Sequence, residues 1–191
     1  RWGIGKFVFP KASRIRSFFV LTKRADDGRV LLAGQAVLKS HHVEGTAYTP
    51  DGWFGVQGED EVPLPTEDAV LIENFSKDFS ISRGQQSGLS IVIPYVSEGV
   101  SRRTVIEAVA GDYFFPILHG DLEVVVEYPG GQSSLSADNV IKEIEDLGPD
   151  HVELVRRAKL AEWGLSLHDS DMLVLNSPVV DGRGPTWSEE L

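Results

Sequence analysis

The sequence contains no cysteine among its 191 residues, so it has neither disulfides nor thiolate metal sites. An absence of cysteine also favours a cytosolic location. No apolar run approaches the roughly 20 residues that a membrane-spanning helix needs. The first residues lack the charged, apolar and small-residue succession of a signal peptide. We therefore expect a cytoplasmic protein that does not insert into a membrane.

Signatures of metal binding and of nucleophilic catalysis are missing as well. Among five histidines, only His41 and His42 are close in sequence. Adjacent residues of a strand point to opposite faces, so this pair is poorly placed to share a metal ion. No G-x-S-x-G motif supports a serine hydrolase. We expect no catalytic residue and no metal ligand in the chain.

Charge is distributed unevenly along the chain, whose overall net charge is −11. Residues 1–39 hold nine Lys and Arg against two Asp, a net charge of +7. The remaining residues hold nine Lys and Arg against 27 acids, a net charge of −18. A basic first segment on an acidic body indicates a local anion site and does not indicate a general nucleic-acid surface. A solvated charged face explains the same asymmetry equally well.

The residue pattern predicts an α+β fold, with a mostly antiparallel sheet and helices packed on one of its faces. The clearest element is a hairpin of strands 17–23 and 30–39, joined by a tight turn at Asp27-Gly28. Its first strand should place Phe18, Val20 and Thr22 on one face and alternate residues on the other. Residues 40–65 are rich in Gly, Pro and acids and predict a long surface loop.

Further strands and helices follow this hairpin. Strands are predicted at 87–96, entered through Gly88 and limited by Pro94, and at 121–131. Predicted helices are 65–75 capped by Thr66, 101–120 capped by Ser101 and limited or kinked by Pro116, 136–148 from Ser136 to Gly148, and 149–164. The predicted buried core comprises Phe19, Leu21, Leu32, Ile91, Ile93, Val124, Val126, Ile144 and Leu147.

The motif Gly3-Ile4-Gly5-Lys6 near the start of the chain is a candidate anion site. Glycines allow successive backbone N–H groups to turn toward one point, and a lysine beside them suits a phosphate. The spacing does not match the P-loop G-x-x-x-x-G-K-[ST] or the dinucleotide motif G-x-G-x-x-G. A plain turn before a helix is the alternative interpretation.

The segment "WGIGKFVFPKASRIRSFFVLTKRADDG" resembles the second glycine box of the GHKL ATPase superfamily, which includes gyrase, heat-shock chaperones, histidine kinases and MutL. In that family a glycine loop leads into a short helix, a strand ending near "TK" and a hairpin rich in Asp and Gly. The later "SGLSIVI" resembles the family's Gly-Thr strand, although Leu89 directly follows the glycine here. The resemblance implies that ATP with Mg is the cofactor. It also implies that the nucleotide contacts are Gly3, Ile4, Gly5, Lys6, Phe7, Gly88 and Ser90.

The same resemblance implies that the chain is one piece of a larger bacterial protein. Residues 1–128 would be the C-terminal portion of an ATP-binding domain, in a partial GHKL-type sandwich, and 129–191 a helical extension and tail. In the family, a first helix supplies the Glu that activates water and the Asn that holds magnesium, and an Asp-x-Gly box contacts the adenine. Both precede the second glycine box, so this piece alone should not hydrolyse ATP. Its partner would be the remainder of its own chain, with a homodimer also possible. The alternative is a β-rich interaction or assembly module without nucleotide binding.

Overall fold

The computed structural model describes residues 7–82 and 85–171, in two compact units, Arg1–Val100 and Ser101–Leu191. Both units combine helices with antiparallel strands, which confirms the predicted α+β class. Among the described residues, no helix has the length and apolar character needed to cross a membrane. The division predicted at residue 128 came from the family resemblance and stays a prediction.

The first unit is built on a four-stranded sheet in which every pairing is antiparallel. The strand order is β5-β2-β1-β8. The elements of this unit are α1 (Val8–Ala12), β1 (Ser17–Lys23), β2 (Val30–Val37), β3 (His41–Val43), β4 (Thr46–Tyr48), β5 (Asp51–Phe54), β6 (Val56–Gln57), β7 (Pro63–Leu64), α2 (Ala69–Asp78) and β8 (Gly88–Val92).

The β1–β2 hairpin confirms the predicted strands but not the predicted turn. Lys23 pairs with Val30, and the Arg24 amide donates to the Arg29 carbonyl at 3.0 Å, so the loop spans residues 25–28. The prediction of a tight turn at Asp27-Gly28 was therefore wrong. The Asp27 side chain accepts the Arg29 amide at 3.1 Å, and Gly28 takes a left-handed φ of 70°. These two features close a wider loop instead.

The two faces of the sheet have different surroundings. Phe19 and Leu21 lie on the face that α2 covers, where Leu21, Leu32 and Phe75 form the buried core of this unit. The opposite face, called here the open face, carries Phe18, Val20, Leu31, Trp53, Leu89 and Ile91. On it, Trp53 is 60% exposed and Leu89 58% exposed. The alternation predicted for β1 is thus confirmed.

Two predictions for the middle of this unit were wrong. Residues 40–65 are not a structureless loop, because they form the β3–β4 and β6–β7 hairpins and the edge strand β5. Thr66 does not cap α2, because its backbone exchanges hydrogen bonds of 3.0 and 2.8 Å with Leu32 of β2. The helix begins later, and Asp68 caps it by accepting the amides of Val70 and Leu71.

The second unit packs three helices and a strand pair around its own core. Its elements are α3 (Arg102–His119), β9 (Val124–Tyr128), β10 (Gly131–Leu135), α4 (Val140–Asp146), a 3-10 turn (Pro149–His151), α5 (Val152–Leu165) and a final 3-10 turn (Asp169–Asp171). Its buried side chains include Ile106, Ala110, Ile117, Leu135, Val140, Ile144, Leu147 and Ala158. The apolar faces of α3, α4 and α5 therefore meet in one cluster.

The caps of these helices agree only in part with those predicted from the sequence. Ser101 caps α3 as predicted, accepting the Thr104 amide at 3.2 Å. Pro116 lies within the last turn of α3, which ends where Gly120 adopts a φ of 86°. Ser136 is not a cap, because its backbone forms a turn closed by the Asn139 side chain at 2.8 Å. The helix α4 starts after Asn139, and β10 is a strand that the sequence pattern did not predict.

The predicted core is largely correct, with one clear exception. Leu21, Leu32, Ile144 and Leu147 are buried, while Phe19, Ile93, Val124 and Val126 are partly buried. Ile91 is exposed, so its prediction was wrong. It lies on the open face, whereas its neighbour Val92 packs on the core.

Candidate functional site

Gly3, Ile4, Gly5 and Lys6, the predicted anion nest, lie outside the described residues. Phe7, the next predicted contact, is exposed and directly precedes α1. Within α1, Phe9 packs on Phe18 with 5.4 Å between the ring centroids. Because Phe18 belongs to the open face, the helix that follows Phe7 lies against that face.

Gly88 and Ser90, the other predicted contacts, lie together at the start of β8. Gly88 pairs with Lys23 and Ser90 with Leu21, so both belong to the face that α2 covers. The Thr22 hydroxyl donates to the Gly88 carbonyl at 3.2 Å. Gly88 has a φ of 143°, a backbone conformation that residues with a Cβ rarely adopt. The structure therefore joins Gly88 and Ser90 to Lys23 and places α1 on the opposite face.

Two cavities open at this end of the sheet, one beside β8 and one beside α2, and both are lined by Ile81; together they are called the α2–β8 cleft. One has a volume of about 440 Å³ and is lined by Ile81, Ser82, Gln86, Ser87, Gly88, Leu89 and Ser90. The other has a volume of about 420 Å³ and is lined by Leu21, Lys23, Val30, Ile72, Ser76, Ile81 and Gln85. Volumes in this range suit a small molecule.

The electrostatics of the cleft differ from those of the adjacent hairpin loop. Lys23 Nζ donates to Gln85 Oε1 at 2.5 Å. None of the described residues that line the cleft is Asp or Glu. Nearby carboxylates are engaged elsewhere, since Arg24 binds Asp26 and Arg29 binds Glu67. The hydrogen bond from Arg24 lowers the pKa of Asp26 to about 2, and the one from Arg29 lowers the pKa of Glu67.

This lining combines polar side chains and one cation with apolar residues, among them Leu21, Ile72 and Ile81. Serine hydroxyls, glutamine amides and an ammonium group can all donate to phosphate oxygens. Magnesium prefers carboxylate and other oxygen ligands together with phosphates, and the described lining offers it no carboxylate. The cleft thus fits the phosphate groups of a nucleotide but does not fit a magnesium ion held by protein carboxylates.

Among the described residues, no three or more His, Asp or Glu side chains converge to form a metal site. His41 and His42 occupy successive positions of β3, and the His41 ring stacks on Tyr48. Lys23, Gln85, Ser82 and Ser87 are site residues that sequence reasoning missed. The signal available for three of them was the density of Ser, Gln and Gly just before β8.

No protein-family model, curated protein or solved structure matches the chain. Membership of the GHKL superfamily therefore stays a prediction from the glycine and strand motifs of the sequence.

Proposed function

We propose that this chain supplies the phosphate side of an ATP-binding site in a larger cytoplasmic bacterial ATPase of the GHKL type. The observation that carries the proposal is the α2–β8 cleft, whose described lining includes Lys23 and several serines, contains no carboxylate, and in one of its two cavities includes Gly88 and Ser90. Both residues were predicted as nucleotide contacts. The rest of the ATPase chain would supply the catalytic base, the magnesium ligands and the adenine pocket.

Charge matching supports this assignment. ATP brings about four negative charges, of which magnesium offsets two. In an acidic protein, phosphates bind where donors and cations are concentrated and carboxylates are absent. The first 39 residues carry a net charge of +7 and include Lys23 of the cleft. The nest of backbone amides predicted at Gly3 to Phe7, with Lys6 beside it, precedes α1, which packs on the opposite face of the sheet, so it is a separate part of the proposal.

The test is calorimetric binding of a non-hydrolysable ATP analogue to a longer chain that includes the sequence encoded before Arg1. We expect Lys6→Ala to weaken binding by about 10- to 150-fold, the value of one charge-assisted hydrogen bond. Gly5→Val should weaken it at least as much, because a side chain blocks backbone approach to the phosphates. Lys11→Ala removes an exposed lysine of α1 and is the matched control.

Three results bear on the proposal. Equal affinities of the wild type and Lys6→Ala would remove Lys6 from the site. An absence of binding by the longer wild-type chain would overturn the ATP proposal itself. The 191-residue chain alone should bind the analogue weakly, and tight binding would show that the missing half is not needed.

A second candidate function, a protein-interaction or assembly module, is favoured by the open face of the sheet. Sheets that face water on one side usually carry polar residues there, but this face exposes Trp53, Leu89 and Ile91. Self-association through this face should weaken in a Trp53→Ser variant when measured by sedimentation velocity. An ATP-analogue affinity that persists in the same variant would separate the two functions.

A further inference from the structure

We propose that Lys23 is the cationic ligand of the α2–β8 cleft, and that Gln85 holds its ammonium group until a phosphate-bearing ligand displaces it. This inference rests on the proposed function and deepens it, because it names the residue that meets the phosphate. Lys23 is the last residue of β1, and its side chain is partly buried over the face that α2 covers. Its backbone pairs with Gly88, so it lies directly beside the predicted phosphate contact.

The partner of Lys23 distinguishes it from the other cations at this end of the hairpin. Arg24 binds Asp26 and Arg29 binds Glu67, so their charges are already matched. Within residues 7–82 and 85–171, no carboxylate lies within 4.0 Å of Lys23 Nζ. Its bond goes to the neutral amide of Gln85. A phosphate oxygen forms a stronger, charge-assisted bond with an ammonium group than an amide oxygen does, so it can replace Gln85.

The remaining lining residues define the chemical class of ligand. The cavity of Lys23 is lined by apolar Leu21, Val30, Ile72 and Ile81 together with Ser76 and Gln85. The polar residues of the adjoining cavity are Ser82, Gln86, Ser87 and Ser90. These groups donate hydrogen bonds to oxygen atoms but provide no negative charge that would repel an anion. The cavity volumes of about 440 and 420 Å³ are in the range of small-molecule sites. A polyphosphate or phosphate ester is the class of ligand that these groups and Lys23 can bind together.

The experiment uses the 191-residue chain and inorganic tripolyphosphate, measured by titration calorimetry at low ionic strength, where screening is weak. Tripolyphosphate carries the phosphate chain without a base or sugar, so it tests the cleft and not an adenine pocket. We expect Lys23→Gln to weaken binding by about tenfold or more. Lys39→Gln removes the same charge from an exposed residue beyond β2 and should change affinity by less than about twofold.

A second variant separates binding from folding. Gln85→Glu places a carboxylate beside Lys23, and the resulting ion pair should compete with the ligand. We expect it to weaken tripolyphosphate binding by several fold, while the urea midpoint of the chain stays at the wild-type value. Because the hydrogen bond between Lys23 and Gln85 is exposed to solvent, neither variant breaks a buried polar contact.

The results distinguish a failure of the Lys23 assignment from a failure of the ATP proposal. If Lys23→Gln and Lys39→Gln weaken binding equally, or if the wild type does not bind tripolyphosphate, the assignment of Lys23 is overturned. If tripolyphosphate binding depends on Lys23 but the longer chain binds no ATP analogue, the assignment stands and the ATP proposal fails. If the longer chain binds the analogue equally with and without Lys23, the ATP proposal stands and Lys23 is excluded.

Discussion

Gly34 of β2 provides the sharpest test of packing in the first unit. The contacts around it decide whether Gly34→Ala raises or lowers the free energy of unfolding. A Cβ added to Gly34 would lie 2.6 Å from Phe19 Cδ1 and 3.1 Å from Phe54 Cβ. Distances this short require the Phe19 ring to move. That ring is held by edge contacts to Phe54 and Phe75, with centroid separations of 5.5 and 5.4 Å.

Two opposing terms set the magnitude for Gly34→Ala. Alanine reduces the conformational entropy of the unfolded chain, which contributes about 0.4–1 kcal/mol of stability where the backbone is compatible. Overpacking in a well-packed core costs about 1–3 kcal/mol. We expect overpacking to exceed the entropy gain, and Gly34→Ala to lower the free energy of unfolding by about 1–2 kcal/mol.

The neighbouring strand supplies the control. A Cβ added to Gly52 of β5 would meet the Ala36 Cβ at 3.6 Å, an ordinary van der Waals contact. We therefore expect Gly52→Ala to be neutral or slightly stabilising. The two substitutions are chemically identical and lie on the same face of the sheet, so their difference isolates the clash with Phe19.

The assay is urea unfolding followed by far-UV circular dichroism, with the m-value compared between variants to check that the same transition is measured. Gly34→Ala should cost less in a Phe19→Leu background than in the wild type, because the ring that the Cβ meets is removed. A Gly34→Ala protein as stable as the wild type, or an equal cost of the alanine in both backgrounds, would refute the packing argument.

Two further predictions concern the cap of α2 and the hairpin loop. Asp68→Ala should lower the free energy of unfolding by about 0.5–2 kcal/mol, because it removes the acceptor of two helix-end amides. Glu73→Ala, on the exposed surface of the same helix, should change it by less than about 0.5 kcal/mol in a urea titration. Equal effects of the two substitutions would contradict the role of Asp68 as the cap. The pKa of Asp26 is about 2 in the folded chain, below about 3.9 in an unfolded one, so the contact with Arg24 stabilises the fold above about pH 4 and loses its effect as the pH falls through 2. The urea midpoint of Asp26→Asn should accordingly lie below that of the wild type at pH 7 and converge with it toward pH 2; a difference that does not change with pH would contradict this contact.

Local patterns predicted the elements whose stabilising contacts are close in sequence. Aromatic and β-branched residues identified β1 and its two faces, because side chains in a strand alternate whatever the strand packs against. Ser101 was identified as a cap because its partner, the Thr104 amide, is three residues away. The prediction of a tight turn between β1 and β2 was wrong because the Asp26 and Asp27 side chains close a wider loop.

Other features depended on residues far apart in the chain. Thr66 has the sequence of a helix cap, but Leu32 engages its backbone across the sheet, and the cap passes to Asp68. Ile91 and Val92 are both apolar, and only the register of β8 against β1 decides which of them is buried.

The candidate site shows the same division. Gly88 and Ser90 were predicted as nucleotide contacts from the resemblance of their strand to a family motif, and this stays a prediction. Lys23 and Gln85 join them only through the pairing of β1 with β8, which brings together residues 62 positions apart. The amino-acid sequence by itself thus determined the α+β class and the strands of the central hairpin. The tertiary structure alone decided that Lys23 lies beside Gly88 and Gln85, because the partner of a side chain is selected by strand register and not by its neighbours in the chain.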